Sequence, residues 1–375
     1  MRRVYLDNNA TTFALPAVKD VVTEILCEGF GNPSSPTLEG GRALERLSAT
    51  RDAVAALTNA ESDQIFFTSG CTEGNNACLQ LALDEPRKLI TTSIEHASVS
   101  AVADWLENSG VTVVRLSGKN GTVSAEQVRE EINEGASLVS IQWANSETGV
   151  LQPIADIASV CAQAGVPLHV DAAQAVGRVP INLRDCPIDY LTFSGHKIHA
   201  PQGVGVTFAR SPKKLPSIIL GGDQEGGRRA GTENLPGIAG LGAACEARAA
   251  DLTGAMEHMT SLRDRFERSV LEVVPGAIVN GADRPRVCNT SNIRFPVDGQ
   301  ALVAQLSGMG IVCSQTSACS SNSPEPSKVL TMLGLSRDKA FASVRFSFSC
   351  LNTMADVDAG VDAIACVYRR LSPTV

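Results

Sequence analysis

The chain has 375 residues, 43% of them hydrophobic and 19% charged, with 40 acidic against 32 basic residues and a formal net charge of −8. That length supports a large buried core shared by two or three domain-sized units, and that charge excludes a basic footprint for nucleic acid or an anionic membrane surface. No apolar stretch approaches the ~20 residues that cross a bilayer, and the opening Met1-Arg2-Arg3-Val4-Tyr5-Leu6-Asp7 lacks the apolar core of a signal peptide, so the expected location is cytoplasmic, with no membrane partner.

From about residue 60 to 210, β-branched apolar runs alternate with helix-length segments. The runs at 65–68, 89–92, 111–114, 138–141, 167–170, 190–193 and 204–208 read as seven strands, and 125–133 and 153–164 are among the intervening helices. This predicts an α/β fold with a mostly parallel seven-stranded sheet covered on both faces. The last two runs are joined by a short glycine-containing link, which predicts one antiparallel strand at an edge. A glycine-rich segment, 221–232, follows, and then a single long helix over 238–273, suited to bridging two domains. A smaller α+β unit comes last, with strands at 291–295 and 343–347 and helices at 301–307 and 354–371. Between them, 314–327 is small, polar and broken by two prolines.

The eleven cysteines are odd in number and contain no C-x-x-C pair, which argues against a disulfide framework or a zinc ribbon. Cys161 and Cys366 sit in apolar helical patterns, where cysteine behaves as a small hydrophobe. Only Cys319, in the irregular 314–327 segment, looks different.

Polar chemistry collects where strands end, which is where ligands bind in parallel α/β sheets. The first run is followed by Ser69-Gly70-Cys71-Thr72, a tight turn opening a helix whose free N–H groups suit a phosphate. Later runs lead into Glu95-His96, Asn145-Ser146-Glu147, Asp171-Ala172-Ala173-Gln174 and Ser194-Gly195-His196-Lys197. Taken singly, Asp171 is readable as a helix cap, His96 as a structural imidazole and Lys197 as a solvated amine. Their order at successive strand ends points to one cofactor, pyridoxal 5′-phosphate, which needs a lysine amine for its aldehyde, a carboxylate for its pyridine nitrogen and an anchor for its phosphate. Lys197 and Asp171 take the first two tasks. Ser194 and His196 donate to the phosphate beside Cys71 and Thr72, Gln174 bonds the phenolic oxygen, and His96 stacks on the ring.

The motifs Tyr5-Leu6-Asp7-Asn8-Asn9-Ala10-Thr11-Thr12, Gly31-Asn32-Pro33-Ser34-Ser35, His169-Val170-Asp171-Ala172-Ala173-Gln174, Ser194-Gly195-His196-Lys197, Arg228-Arg229-Ala230-Gly231-Thr232-Glu233-Asn234, Ser317-Ala318-Cys319 and Glu325-Pro326-Ser327 run through the whole chain. In content and order they resemble the NifS/IscS-type cysteine desulfurases of the class V aminotransferases, and most closely the nitrogen-fixation branch. The resemblance implies a fold-type I PLP-dependent transferase whose large domain spans 14–250. The small domain comprises 1–13 and 251–375, with a mobile loop at about 314–327. It also implies a homodimer that converts L-cysteine to L-alanine and keeps the sulfur as a persulfide on Cys319, for an iron–sulfur scaffold or another acceptor protein. Lys197 is the base for the α-proton, and His96 serves in proton transfers. Arg345 grips the substrate carboxylate, Asn145 faces cofactor and substrate, and Thr232 reaches the phosphate of the neighbouring subunit.

The sequence departs from the family pattern in places. Ser146 stands for a second asparagine, Leu38 for a histidine and Cys350 for an arginine, and the nucleophile's segment reads Cys313-Ser314-Gln315-Thr316-Ser317-Ala318-Cys319. Cys313 is readable as a second thiol near the loop or as a strand residue. Other fold-type I enzymes, a selenocysteine lyase or a small-substrate aminotransferase, would use much of the same site. An aminotransferase would have no need of Cys319.

Overall fold

In the computed structural model, which describes residues 3–118, 121–315 and 325–372, the chain starts on strand β1 (Val4–Tyr5) and passes through helices α1 (Pro16–Cys27) and α2 (Leu38–Thr58) before entering its main sheet. The Thr37 side chain caps α2 by accepting from the Gly40 N–H, and Asn59, left-handed at φ 51°, ends it. Then follow β2 (Ile65–Thr68), α3 (Cys71–Leu79), β3 (Lys88–Thr92), α4 (Ala97–Asn108), β4 (Thr112–Leu116), α5 (Ala125–Ile132), β5 (Leu138–Gln142), α6 (Ile154–Ala164), β6 (Leu168–Asp171), β7 (Tyr190–Ser194) and β8 (Gly205–Ala209).

The sheet order is β2-β8-β7-β6-β5-β3-β4, parallel except that β8 runs against both of its neighbours. The reversed strand is therefore present, but in the interior rather than at an edge. Gly205 allows this, since a Cβ there would lie 2.5 Å from the Gly70 Cα in the turn after β2. Strands β3, β5, β6, β7 and β8 are buried along their whole length, which is why they read as unbroken apolar runs rather than alternations. Their side chains join Val54 of α2, Ile157 of α6 and Val128 of α5 in the larger apolar core.

The long helix expected over 238–273 is two helices, α7 (Leu235–Ala250) and α8 (Leu252–Val273). Asp251, at φ −148°, breaks the run, and its carboxylate accepts from the Gly254 N–H to start α8. The chain continues through β9 (Ile278–Val279), β10 (Thr290–Arg294), α9 (Gly299–Gly308), β11 (Ile311–Val312), β12 (Ser314–Gln315), α10 (Lys328–Met332), α11 (Arg337–Phe341), β13 (Ser343–Ser347) and α12 (Met354–Leu371). A second sheet has the order β12-β13-β10-β9, and β1 pairs in parallel with β11. The second core gathers Phe266, Phe346 and Phe348 with Ile364, and it includes Val4 and Leu6 from the start of the chain. No helix among the described residues is long and apolar enough to cross a membrane.

Candidate functional site

Asp171, the last residue of β6, is buried and tightly held. Its Oδ2 accepts from Asn75 Nδ2 at 2.8 Å, and its Oδ1 accepts from the Ala173 N–H at 3.0 Å and the Cys71 thiol at 3.4 Å. Burial, and after it the Asp171 charge, pushes the Cys71 thiol well up, so it donates as a neutral S–H. The rest of the network follows from donor counting. Thr192 Oγ1 donates to Asn75 Oδ1 at 2.5 Å, so the 3.1 Å contact between His169 Nε2 and Thr192 Oγ1 places the imidazole proton on Nε2. His169 Nδ1 then accepts from Ser140 at 2.8 Å, as suits a ring that burial holds down to about 4.

The same Asn75 amide donates to Ser98 Oγ at 2.8 Å, and Ser98 in turn meets His96 Nδ1 at 2.9 Å. The Ser98 N–H also donates to that nitrogen, so His96 caps α4 and carries its proton on Nε2. Its outer face is exposed over an open cavity lined by Thr72, Asn76 and Trp105. Desolvation of the inner edge lowers its pKa.

Lys197 closes the short helical turn after β7. Its Nζ donates to the carbonyl oxygens of Asn9, at 2.5 Å, and Ala10, at 2.9 Å. Burial, and then the Arg178 and Arg345 cations, bring the amine down to about 8. Gln174 Nε2 donates to the same Asn9 carbonyl at 3.1 Å, and Gln174 Oε1 accepts from Arg178, whose other end donates to the Lys197 carbonyl at 3.2 Å. Arg178 thus clamps the two residues on either side of the strand β7.

On the turn side, Ser194 Oγ accepts from the Cys71 N–H at 2.8 Å and joins the end of β7 to the start of α3. Gly74 seats α3 on the sheet, because a Cβ there would meet Thr207 Oγ1 at 2.5 Å and Thr192 Cγ2 at 2.8 Å. The Cys71 side chain turns inward to Asp171, so its part in the turn is its backbone N–H, while Thr72 faces outward. Glu73 closes the turn by accepting from the Ser69 N–H and pairs with Arg229 at 3.1 Å. His196 meets Thr11 Oγ1 at 3.1 Å, and burial and the Lys197 charge hold it down to about 4. Thr232 is exposed ahead of α7 and makes no hydrogen bond with these residues.

Arg345, on β13, is buried. Its Nη2 pairs with Asp7 at 2.6 Å, its Nη1 donates to the Ser146 carbonyl at 3.1 Å, and its Nε has no partner. At position 146 the chain thus uses the backbone. Asn145 Oδ1 accepts from the N–H groups of Glu147 and Thr148, both at 3.0 Å, and Asn145 Nδ2 donates to the Ile94 carbonyl, which leaves one side-chain N–H for a ligand. Leu38 is an exposed first residue of α2. Cys313 is buried between β11 and β12, and burial pushes its thiol up to about 12. Cys319 lies outside the described residues, as does most of the 314–327 segment; its ends form β12 and, at Ser327, the cap of α10.

Sequence reasoning passed over Asn75, Ser98, Thr192, His169 and Arg178. Asn75 carried the best available signal: it falls one helical turn after Cys71, on the same face of α3, where both side chains reach Asp171. Nothing in the sequence marks Arg178 as buried.

The chain matches the aminotransferase class-V family over residues 4–359. It is 41% identical to a cysteine desulfurase of Nostoc sp., covering 99% of this chain and 94% of the relative, and 39% identical to the cysteine desulfurase NifS of Azotobacter vinelandii, covering 100% and 95%. A solved NifS-like protein superposes with a TM-score of 0.91 at 34% identity, covering 99% of this chain and all of that one. SspA, solved in complex with cysteine, gives 0.83 at 32% identity over 94% of this chain and all of the other. A lysine and a fixed carboxylate at strand ends, in a chain matched end to end by these proteins, place it in the aminotransferase class-V family, among the cysteine desulfurases of NifS type.

Proposed function

We propose that this chain is a pyridoxal-phosphate-dependent cysteine desulfurase that converts L-cysteine to L-alanine and holds the sulfur as a persulfide on Cys319, for an acceptor protein of iron–sulfur cluster assembly. The observation that carries this reading is an amine held near 8, Lys197, in one site with a carboxylate, Asp171, that three donors fix.

The donor set fits the cofactor. Lys197 would hold its aldehyde carbon, Asp171 its pyridine nitrogen, and the second N–H of Gln174 and of Asn145 its ring oxygen, with His96 over the ring. Ser194, His196, Thr72 and the N–H groups that open α3 suit its phosphate. When bound, the cofactor withdraws electrons from the substrate α-carbon. Lys197 Nζ then takes the α-proton, a task matched to an amine that is partly neutral at neutral pH. Arg345, already oriented by Asp7 and Ser146, offers its unpartnered Nε and neighbouring N–H groups to the substrate carboxylate. His96 Nε2–H faces the cavity as a proton donor. The Cys319 thiolate bonds to the substrate sulfur as the Cβ–S bond breaks, and the electron pair of that bond passes to the substrate carbon, which gains a proton to give alanine.

The two separate apolar cores support a division into a large unit, 14–250, and a small one of 1–13 and 251–375, with the site between them. Two features support a homodimer: the half-exposed Trp105 on the rim of the His96 cavity, and Thr232, which is free to reach a neighbouring phosphate. A cytoplasmic location fits the free state of every described cysteine.

The test is a paired assay of wild type and Cys319→Ala, following alanine and sulfide from L-cysteine with reductant, after recording the visible absorption of bound pyridoxal phosphate. The wild type makes both products; the variant keeps the absorption and makes neither. Full turnover by the variant overturns the desulfurase reading, and a colourless protein that takes up no pyridoxal phosphate overturns the cofactor.

A further inference from the structure

A second group of cations and thiols adjoins Lys197. Arg178 and Arg248 are both buried and line a small cavity with Lys197 and His199, and no carboxylate among the described residues pairs with either guanidinium. Arg248 is 7% exposed and its Nε has no partner. Buried cations without an anion are costly unless a neighbouring group can give up a proton.

Two thiols lie beside them. Cys288 is buried and acts as a donor, its Sγ lying 3.7 Å from the Arg178 carbonyl oxygen; burial raises its pKa. Cys350 is partly exposed and accepts from Arg248 Nη2 at 3.4 Å. Its Sγ is also 3.6 Å from His199 Nε2. The His199 tautomer is fixed, because Nδ1 lies 2.7 Å from the Phe13 carbonyl oxygen, which can only accept. Nε2 therefore offers its lone pair to the thiol proton. Burial, more than the two guanidinium charges, brings the ring down to about 4, so it is neutral at neutral pH with its Nε2 lone pair free, and the Arg248 contact at 3.4 Å favours the thiolate left when the proton moves. The ring is held in place at some strain: His199 is left-handed at φ 75°, with its N–H on Thr12 Oγ1 at 2.9 Å.

We propose that Cys350 is a second nucleophilic thiol of this chain, with His199 as its base and Arg248 as its counter-charge, and that it accepts sulfane sulfur from a persulfide or polysulfide. The arrangement is that of an activated nucleophile: thiol, base, and a third group orienting the base. Cys350 Sγ bonds to the terminal sulfur of R–S–S–H as the bond between the two sulfurs breaks. The R–S group leaves with the electron pair and takes the proton that passed from Cys350 to His199 Nε2. No electrons are gained or lost overall. The choice of sulfur as the electrophile rests on the desulfurase reading, which makes a persulfide the chain's own product; the activation of the thiol does not.

The experiment uses the Cys319→Ala holoenzyme, sodium tetrasulfide as donor, and mass spectrometry of alkylated peptides. Cys350 should gain sulfur faster than Cys27, which is exposed and makes no side-chain hydrogen bond among the described residues. Adding His199→Asn should slow labelling of Cys350 by roughly 100-fold or more, the lower end of the range for a lost general base, and leave Cys27 unchanged. Arg248→Gln, read the same way, covers the case in which the His199 variant does not fold. Sulfur uptake at Cys350 no faster than at Cys27, or insensitive to both substitutions, overturns the proposal. Because the sulfur is supplied, failure of the cysteine assay leaves this result readable.

Discussion

At the level of single residues, the site is held by groups that never meet a ligand. Asn75 gives one amide to both Asp171 and Ser98 and accepts from Thr192. Asn75→Ala strands buried polar atoms on both sides at a cost of ~1–3 kcal/mol, so it should lower the midpoint of urea unfolding and weaken retention of pyridoxal phosphate in equilibrium dialysis. Lys197, near 8 in the protein, must be neutral to attack an aldehyde. The rate at which apoprotein captures pyridoxal phosphate should therefore rise with pH through about 8 and level off above it, as followed by stopped-flow absorbance. A rate independent of pH between 7 and 9 would mean that the amine is not the limiting nucleophile. The residues proposed for chemical function drew notice in the sequence because their types are unusual at strand ends. Asn75, Thr192 and Arg178 did not, since their roles depend on which helix face and which neighbouring strand they meet, and a linear pattern does not encode that.

At the level of elements, the joints between helix and sheet set the tolerances. Gly74→Ala drives a methyl into Thr207 and Thr192, so α3 must lift from the sheet at ~1–3 kcal/mol; calorimetry should show a lower Tm and the holoenzyme should lose cofactor faster. Glu95, after β3, is buried and pushed up to about 8 by desolvation, despite bonds from Thr92 and the Gln142 N–H. Its folded value lies above its unfolded one, so the stability it contributes is full below about 4.5 and is lost as pH rises through 8. Wild type should therefore lose stability relative to Glu95→Gln across that window, at up to ~1.4 kcal/mol per pH unit, in urea melts of the two proteins; parallel curves would show that Glu95 ionises normally. Strands and helices in the large unit were legible from period and length. The break at Asp251 was missed because one residue with a cap interrupts an otherwise continuous apolar rhythm, and the place of β8 was missed because pairing order is a property of the sheet.

At the level of the whole molecule, the two cores meet where the opening residues cross from one to the other. Val4 and Leu6 are packed in the second core, yet Asn9 and Ala10 hold the lysine of the first. Sedimentation of the holoenzyme should give a dimer. Trp105→Glu, at the rim of the cavity beside His96, should shift it toward monomer and reduce turnover together; a fully active monomer would contradict the shared site. The family resemblance alone groups residues 1–13 with 251–375; β1 is only two residues long and gives no strand signal of its own, and it pairs with β11, some three hundred positions later.

That pairing has a consequence for synthesis on the ribosome. The residues that anchor Lys197 are made first, but Val4 needs Ile311, and Asp7 bridges to Ser347, before the crossing segment is fixed. The main sheet, complete by Ala209, can assemble while the ribosome is still working, as leading domains do. The lysine gains its two carbonyl partners only when nearly all of the chain has emerged, so the reactive site is completed last, by the part of the protein that was translated first.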